Sequence, residues 1–388
     1  MQSERTVFVT AADVSGDIHA AGLIRALSGR LGRARFVGVG GRHMAEAGCE
    51  LLADTTARAS MLGHAFGHVL YFHRLIRRVA KVMSERRPVV LVPVDSPAMN
   101  WHMARAARRR GIPVMYYICP QVWAWAPWRV RKLRRLTDTV ACILPFEPCY
   151  LRPLGVNAHY VGHPLFDELA PADPPDLTEA ARTGQWRIAL LPGSRAAEIA
   201  HHAPALAAVY DRLRRGHPRA EFAFTAFGAQ AADRIRRAAG RDDLPVEVSR
   251  TAEVLRQSHF AIVASGTVTL EVAHFGVPMV VFYRAPRAAY HLLGRWLLRT
   301  RYLSLVNILA GKELVPELMP WFGDANLLAE AAEGVLADPD RMARTRRDLL
   351  ELVEPLKAGP GATAADRAAE LVVRTIAGGA IEPPGGLD

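Results

Sequence analysis

The stretch RIALLPGSRAAEIAHHAPALAAVYDRLR, residues 187–214, predicts the fold of the second half of the chain. Arg187–Leu191 is a short apolar strand, the turn Pro192–Arg195 contains a glycine, and Ala196–Arg214 has helical periodicity. Strand, tight turn and helix together form the repeating unit of an open parallel sheet. Further apolar runs at 221–225, 260–264 and 278–282 continue the series. We therefore predict a doubly wound, mostly parallel sheet here.

The first half of the chain carries the same alternation. Apolar runs at 6–10, 35–39, 88–94, 113–118 and 138–144 predict strands, and the segment 18–31 places leucine and isoleucine on one helical face. Two doubly wound domains of similar size predict sheets that face each other across a cleft. Because ligands of such sheets bind beyond the carboxyl ends of the strands, this architecture suits a two-substrate enzyme with a nucleotide-linked donor.

Proline and glycine mark the predicted domain boundaries. We assign residues 1–168 to an N-terminal Rossmann-like domain and the proline-rich segment 169–185 to a linker. A second Rossmann-like domain follows over 186–345, and 346–388 are expected to be C-terminal helices that end in a frayed tail.

The composition argues against a disordered, membrane-spanning or secreted protein. Of 388 residues, half are apolar and 22% are charged, which excludes a mainly disordered chain. No run of 18 apolar residues predicts a spanning helix, and the N-terminus lacks the order of a secretory signal. The four cysteines show no metal-like pairing. We expect a protein of the reducing cytoplasm.

Arginine dominates the charge, with 49 Lys and Arg against 38 Asp and Glu, a net charge of +11. A GC-rich genome is one explanation of the arginine excess, and an anionic partner, which the charge favours, is the other. Two basic amphipathic stretches, 71–88 and 290–302, can lie on an anionic bilayer or pack on their own domain. We expect the membrane contact, with Phe72 and Trp296 among the apolar residues. No nucleic-acid module is recognisable, and we expect no nucleic-acid partner.

Two strand-to-helix turns in the second half can bind phosphate. Gly193 permits the first turn, which Ser194 and Arg195 complete; the second consists of Ser265, Gly266 and Thr267. Free N–H groups at a helix start and an arginine suit a diphosphate, although such turns also serve as helix caps. Glu271 follows one turn into the second helix, where it can bind ribose hydroxyls or complement the helix dipole.

Asp95 is the candidate general base of the first half, because it follows the buried run 88–94 at the carboxyl end of a strand. An Asx-turn before Pro97 is the alternative. Asp13, Ser15 and Asp17 crowd the first turn of the chain, where at least one of Ser15 and Asp17 is expected to cap the following helix. The tryptophans at 123, 125 and 128 can stack on bases, pack an acyl chain or fill a core.

The histidines lack metal-ligand spacing, and the pair His201-His202 is expected at the surface. The Asp338-Pro-Asp340 motif is expected to cap a helix. We therefore predict neither a metal nor a cofactor.

Eleven motifs, in order between about Thr10 and Leu318, resemble those of the lipid-A-disaccharide synthases, glycosyltransferases of the GT-B type. In the first half they are SGD at 15–17, VGVGG at 37–41, D-x-P at 95–97 with Asn100, P-x-VWAW at 120–125, LPFE at 144–147 and GHPL at 162–165. In the second half they are LPGSR-x-x-EI at 191–199, ASGT-x-TLE at 264–271, PMVV-x-YR at 278–284, SL-x-N at 304–307 and VPEL at 315–318.

The resemblance implies transfer of 2,3-diacylglucosamine from its UDP donor to 2,3-diacylglucosamine 1-phosphate, with inversion and without a metal. It implies Asp95 and Asp13 as catalytic residues. The implied donor-binding residues are Gly193, Ser194, Arg195, Ser265, Gly266, Thr267, Glu271, Arg284, Asn307 and Glu317. The predicted acceptor and lipid contacts are Ser15, Asn100, Trp123 and Trp125, which lie in or beside these motifs, together with Phe72 and Trp296 of the two amphipathic stretches. We expect peripheral attachment to the anionic inner face of the cytoplasmic membrane, and a homodimer is left open.

Three departures from the family pattern lie on the acceptor half. Asp13 stands where the family has a glutamate, His68 replaces another carboxylate, and Ala98 replaces the second acid of the Asp95 motif. Another UDP-N-acetylglucosamine-type transferase, an epimerase of the same fold and a UDP- or lipid-binding pseudoenzyme are therefore the alternatives.

Overall fold

The computed structural model describes residues 5–56, 65–124, 126–284 and 300–378, without the side chains of 65–70. The chain forms two compact units. One comprises Met1–Asp167 with Leu356–Asp388, and the other comprises Glu168–Pro355.

The first unit alternates strands and helices along the chain. Its strands are β1 (Arg5–Thr10), β2 (Ala34–Gly40), β3 (Cys49–Asp54), β4 (Val90–Pro93), β5 (Met115–Tyr117), β6 (Thr139–Cys142) and β7 (Ala158–Tyr160). Its helices are α1 (Val14–Arg30), α2 (Arg42–Glu46), α3 (Ala65–Arg86), α4 (Pro97–Arg108), α5 (Val130–Leu136) and α6 (Glu147–Leu151). All described pairings are parallel. The order is β3-β2-β1-β4 in one sheet and β5-β6-β7 in the next, and parallel bridges join β4 to β5.

The second unit is built on one six-stranded parallel sheet of order β10-β9-β8-β11-β12-β13. Its strands are β8 (Arg187–Leu191), β9 (Glu221–Ala226), β10 (Val246–Val248), β11 (Phe260–Ala264), β12 (Met279–Arg284) and β13 (Glu317–Trp321). Its helices are α7 (Leu177–Thr183), α8 (Ala196–Gly216), α9 (Ala229–Ala239), α10 (Thr251–Gln257), α11 (Val268–His274), α12 (Leu305–Ala310), α13 (Ala325–Leu336) and α14 (Pro339–Val353). Aromatic and aliphatic side chains of α8, β8, β9 and β11 form its core.

The last helix, α15 (Ala364–Ile376), returns to the first unit. It begins with a capping box between Thr363 and Asp366, and it packs against α1 on one face of the first sheet. Helices α3, α4 and α5 cover the opposite face, with neighbouring helices in contact. The first sheet is therefore covered on both faces, which explains why its strands are apolar throughout.

The predicted α/β class and parallel sheets are confirmed, and every strand predicted from an apolar run is present. Four strands, β3, β7, β10 and β13, had no sequence prediction. The segment 169–185, expected to be a linker, contains α7, whose Leu177 and Ala180 are buried in the core of the second unit. The region 346–388 was expected to be separate, but its residues through Pro355 belong to the second unit and those from Leu356 to the first.

The apolar stripe of α3 does not face solvent. Leu75, Val79 and Met83 are buried in the core, and Phe72 is half-buried against the same cluster. The prediction that this stripe contacts lipid is therefore wrong for Leu75 and Val79, and it stays a prediction for the half-buried Phe72. Most of the second amphipathic stretch, including Trp296, lies outside the described residues.

Candidate active site

Asp95 lies directly after β4 on a backbone of unusual conformation. Its φ is +47° and that of Ser96 is +39°, so two successive non-glycine residues are left-handed. Such a conformation costs about 1–3 kcal/mol per residue and persists only where the surroundings impose it. The turn projects the half-buried Asp95 at the carboxyl end of the sheet, where parallel sheets bind their ligands.

Two side chains, Asn100 and Tyr116, bind the backbone carbonyl of Asp95, and Thr10 in turn holds Asn100. Asn100 is fully buried, and its Nδ2 donates to the carbonyl oxygens of Val94 at 2.9 Å and Asp95 at 2.7 Å. The hydroxyl of Thr10 donates to Asn100 Oδ1 at 2.7 Å, and that of Tyr116 donates to the Asp95 carbonyl at 2.7 Å. Asn100 is therefore a scaffold of the Asp95 turn, and its predicted contact with lipid or acceptor is wrong.

Asp13 joins the first turn of α1 to the Asp95 turn. One carboxylate oxygen accepts from the Gly16 amide at 2.8 Å, which caps α1, and the other accepts from the Ser96 hydroxyl at 2.7 Å. Ser15 is exposed in the same turn, 3.2 Å from Nε2 of His19. Burial lowers the pKa of His19 to about 4, so its ring is neutral at pH 7. Asp13, Ser15 and Asp95 thus lie at one edge of one sheet.

The expectation that Ser15 or Asp17 caps α1 is wrong, because Asp13 is the N-cap and Asp17 has a different structural role. Its carboxylate accepts from the backbone N–H groups of Gly41, His43 and Met44 at 2.7, 2.9 and 3.2 Å. These are the free amides at the start of α2. Asp17 therefore fixes the turn after β2.

Trp123 belongs to the core of the first unit. Its indole N–H donates at 3.0 Å to Glu147, whose other carboxylate oxygen accepts from the amides of Ile143 and Leu144. Burial raises the pKa of Glu147 to about 7. The ring of Trp123 also meets that of Phe146 edge-on at 4.8 Å. The prediction that Trp123 contacts lipid is wrong for this reason, while Trp125 lies outside the described residues.

The turn after β8 is organised by Glu198 in the first turn of α8. Its carboxylate accepts from the amides of Ser194 at 3.2 Å and Arg195 at 3.1 Å, and from the Arg195 guanidinium at 2.7 Å. Gly193 has a φ of +105°, and a Cβ there would lie 2.7 Å from Glu198 Oε2. Arg195 remains 80% exposed. A carboxylate already occupies these amides, which shows that the turn accepts an anion.

Glu271 lies in the first turn of α11, after the turn Ser265–Thr267 that follows β11. Within the described part of the chain its carboxylate has no hydrogen-bond or ion-pair partner. Burial raises its pKa to about 7. Strands β8, β11 and β12 are neighbours in the sheet, so Glu271, the Gly193–Arg195 turn and the exposed Arg284 lie at the same edge.

Asn307 and Glu317 form a closed network. Asn307 is 0% exposed; its Oδ1 accepts from the amides of Leu314 and Val315, and its Nδ2 donates to the Val315 carbonyl and to Glu317. Glu317 also accepts from the amides of Leu303 and Ser304 and from the Ser304 hydroxyl. These hydrogen bonds use all the polar atoms of Asn307, and they bring one donor to Oε1 and three donors to Oε2 of Glu317. Asn307 is therefore a loop-shaping residue rather than a direct donor contact, whereas Glu317 is half-buried and its contact with the donor stays a prediction.

Thr10, Tyr116 and His202 contribute to the site, but no role was predicted for them from the sequence. His202 is buried rather than at the surface, and it touches both the Pro192 turn and Arg284. Asp338 caps α14 through the Arg341 amide, as predicted. No group of three or more metal-ligating side chains occurs among the residues that the structure describes, and none of the described helices is long and apolar enough to cross a membrane.

A sequence model of the lipid-A-disaccharide synthetase family matches residues 7–372, nearly the whole chain. The chain belongs to the lipid-A-disaccharide synthase family. Two relatives of that name are each 34% identical to it. The Geobacter sulfurreducens protein is aligned over 91% of this chain and 93% of its own, and the Myxococcus xanthus protein over 99% and 100%. The protein is accordingly a glycosyltransferase of lipid A disaccharide formation.

Solved structures confirm the fold of the family member as GT-B, with two Rossmann-like domains. A UDP complex of MnaA from S. aureus has a TM-score of 0.63 at 12% identity and covers 99% of this chain and all of its own. MurG from Acinetobacter baumannii has a TM-score of 0.56 at 12% identity, covering 95% and 99%. A UDP-GlcNAc 2-epimerase from Neisseria meningitidis, bound to UDP-GlcNAc, has a TM-score of 0.62 at 11% identity, covering 97% and 100%.

Proposed function

We propose that the enzyme transfers 2,3-diacylglucosamine from UDP to 2,3-diacylglucosamine 1-phosphate, with inversion at the anomeric carbon. The acceptor 6-hydroxyl attacks C1 of the donor, the bond from C1 to the diphosphate oxygen breaks, and UDP leaves. A base takes the hydroxyl proton, and the departing diphosphate needs positive charge and N–H donors. The family membership of the chain supports the reaction, and the two sheet edges supply candidates for both tasks.

Asp95 is the base in this proposal, and the locked left-handed turn is the observation that carries it. Asn100 and Tyr116 donate hydrogen bonds to the Asp95 carbonyl, and Thr10 donates to Asn100, so the backbone that carries the carboxylate is held in place. A base that is held in place avoids the entropic cost of finding its geometry in the transition state. Asp13 supports the same turn through Ser96, and Ser15 is the nearby exposed hydroxyl available to an acceptor.

Arg195, Arg284 and the turn Ser265–Thr267 bind the diphosphate in this proposal, and Glu271 accepts from the ribose hydroxyls. The UDP and UDP-GlcNAc complexes among the fold relatives support a nucleotide sugar as the donor. In the free protein Glu198 occupies the amides of Ser194 and Arg195, so a diphosphate contacts the Arg195 guanidinium by replacing or sharing this carboxylate. No residue among these needs a metal ion.

The membrane surface contacts helices α3, α4 and α5 in this proposal. Residues 65–136 contain 15 Lys and Arg and two Asp and Glu, so this segment carries +13 while the whole chain carries +11. The exposed cations of the layer are Arg74, Arg77, Arg78, Lys81, Arg105, Arg108, Arg109, Arg110, Arg131, Lys132, Arg134 and Arg135. Trp128, 59% exposed beside α5, supplies an aromatic side chain of the kind found at bilayer interfaces. Attachment is therefore mainly electrostatic and peripheral.

Incubation with UDP-2,3-diacylglucosamine and 2,3-diacylglucosamine 1-phosphate, followed by mass spectrometry, tests the reaction. We expect a disaccharide 1-phosphate and UDP. Asp95→Asn should lower kcat by about 100-fold or more while the Kd for UDP stays within about two-fold of the parent, because proton removal is lost and donor binding is kept. Turnover of Asp95→Asn at the parental rate would exclude Asp95 as the base. Absence of the disaccharide with the parent would exclude this substrate pair.

A further inference from the structure

His202 joins two strand ends that carry predicted donor-binding residues. It lies one helical turn beyond Glu198 in α8 and is 1% exposed. Its Nδ1 is 2.8 Å from the carbonyl oxygen of Pro192, at the start of the turn that holds Arg195. Its Nε2 is 3.3 Å from the backbone nitrogen of Arg284, at the end of β12.

These two partners define the state of the ring. A carbonyl oxygen only accepts and an amide N–H only donates, so His202 carries its proton on Nδ1 and accepts at Nε2. Burial lowers the pKa of His202, which agrees with a neutral ring. The rings of Phe282 and Tyr283 meet the imidazole edge-on at 4.9 and 5.5 Å. Rotation of the ring would therefore break both hydrogen bonds and both aromatic contacts.

His202 connects two strand ends that are not neighbours in the sheet. Strands β8 and β12 are separated by β11 in the sheet, so no ladder hydrogen bond joins the Pro192 turn to Arg284. An apolar side chain in this place would fill the volume equally well without directing a polar atom at each strand end. We propose that His202 is a positioning residue that sets the spacing between the Pro192–Arg195 turn and Arg284. The inference rests on the proposed function, in which both bind the donor diphosphate.

Three substitutions distinguish the hydrogen bond of His202 to Pro192 from its hydrogen bond to Arg284. His202→Asn keeps a donor near the Nδ1 position for Pro192 and loses the acceptor for Arg284. His202→Gln reaches the Nε2 position and keeps an acceptor for Arg284, and His202→Phe keeps a ring and loses both hydrogen bonds. The neighbouring His201 is exposed, so His201→Phe is the matched control.

UDP binding by calorimetry is the primary measurement, with donor KM and kcat measured in parallel. We expect His202→Phe to raise the Kd for UDP and the donor KM by about 5- to 20-fold, the size expected for one or two lost hydrogen bonds, with a smaller effect on kcat. His202→Asn and His202→Gln should fall between the parent and His202→Phe. The control should bind UDP like the parent.

A double-mutant cycle distinguishes positioning from simple loss of stability. His202→Phe acts through the placement of the Arg284 side chain, so in an Arg284→Ala background it should raise the Kd by much less than in the parent. Equal effects in both backgrounds would overturn the inference, as would unchanged UDP binding by all three His202 variants. If the parent does not bind UDP, the proposed donor site fails as well. If the parent binds UDP and Arg284→Ala weakens binding while the His202 variants do not, only this inference fails.

Discussion

Replacing Glu271 by glutamine should stabilise the free protein at pH 8 and weaken its binding of UDP. Burial raises the pKa of Glu271 to about 7 from the ordinary value of 4.5. The folded protein therefore holds this proton more tightly than the unfolded chain does. Its stabilising contribution is complete below about pH 4.5 and is lost as the pH rises toward about 7, because the unfolded carboxyl then ionises more readily.

The magnitude follows from the size of the shift. A change of one pKa unit corresponds to about 1.4 kcal/mol, so the full shift would correspond to about 3 kcal/mol at pH 8. Glu271 is partly exposed, and water screens part of this penalty. We therefore expect Glu271→Gln to raise the free energy of unfolding by about 1–3 kcal/mol at pH 8 and by much less at pH 4.5.

Urea unfolding at pH 4.5, 6 and 8 measures this difference. The chain has two units, so the relevant transition is the one that UDP shifts to higher urea, since a ligand stabilises only the unit that binds it. Glu351→Gln, an exposed glutamate on α14, is the control and should show no such pH dependence. UDP affinity of Glu271→Gln should fall by about 10-fold, because an amide is a weaker acceptor than a carboxylate for ribose hydroxyls.

A stability difference that does not grow between pH 4.5 and pH 8 would refute the argument from burial. Unchanged UDP affinity, with the expected stability gain, would show that Glu271 is a buried carboxylate without a role in the donor site. The two measurements together therefore separate the electrostatic reasoning from the functional assignment.

Three further predictions concern single regions. Arg195→Ala should weaken UDP binding by about 1.5 kcal/mol or less, since the guanidinium is exposed and pairs with Glu198 in the free protein. EDTA should leave turnover unchanged, and strict dependence of turnover on a divalent ion would contradict a metal-free reaction. Replacing Arg131, Arg134 and Arg135 with serine should reduce binding to anionic vesicles at low salt in a sedimentation assay. The control replaces the exposed second-unit residues Arg215, Arg234 and Arg256 with serine and should bind like the parent. Equal losses of binding in both variants would show that total charge, and not the α5 surface, determines attachment. Asn307→Ala should lower the free energy of unfolding by about 2–4 kcal/mol, because it leaves the amides of Leu314 and Val315 without partners; a stable variant that cannot bind UDP would instead make Asn307 a donor contact.

The sequence predicted the sheets well because apolar strands buried on both faces produce a strong local signal. Strands β8 and β11 were predicted with their exact ends, 187–191 and 260–264. The four missed strands lie at sheet edges or contain three residues, where the apolar run is short or interrupted. The return of α15 to the first unit had no sequence signal, since amphipathicity shows that a helix packs but does not show against which sheet.

Roles within the site were harder to predict than its location. Asn100, Trp123 and Asn307 stand in motifs that resemble a glycosyltransferase family, and each was expected to touch a substrate. Asn100 and Asn307 bind backbone groups of their own unit, and Trp123 binds the Glu147 carboxylate, which only the tertiary structure reveals. His202 was overlooked for the complementary reason, because a histidine on a helix gives no sign of a carbonyl 10 residues earlier or an amide 82 residues later.

These roles divide the motif residues into two kinds with different chemical requirements. The scaffold residues Asn100, Glu147 and Asn307 are buried and satisfy two or more backbone groups each, so replacing one leaves several polar groups unpaired and lowers stability first. We expect the loss of the exposed Arg195 to cost little stability, and the loss of the buried charge of Glu271 to increase stability at pH 8. Within the second unit, Glu271 thus lowers stability where a ligand can bind it, whereas Asn307 belongs to a hydrogen-bonded network that supports the fold. The stability of a variant, measured without ligand, therefore indicates to which of the two kinds a motif residue belongs.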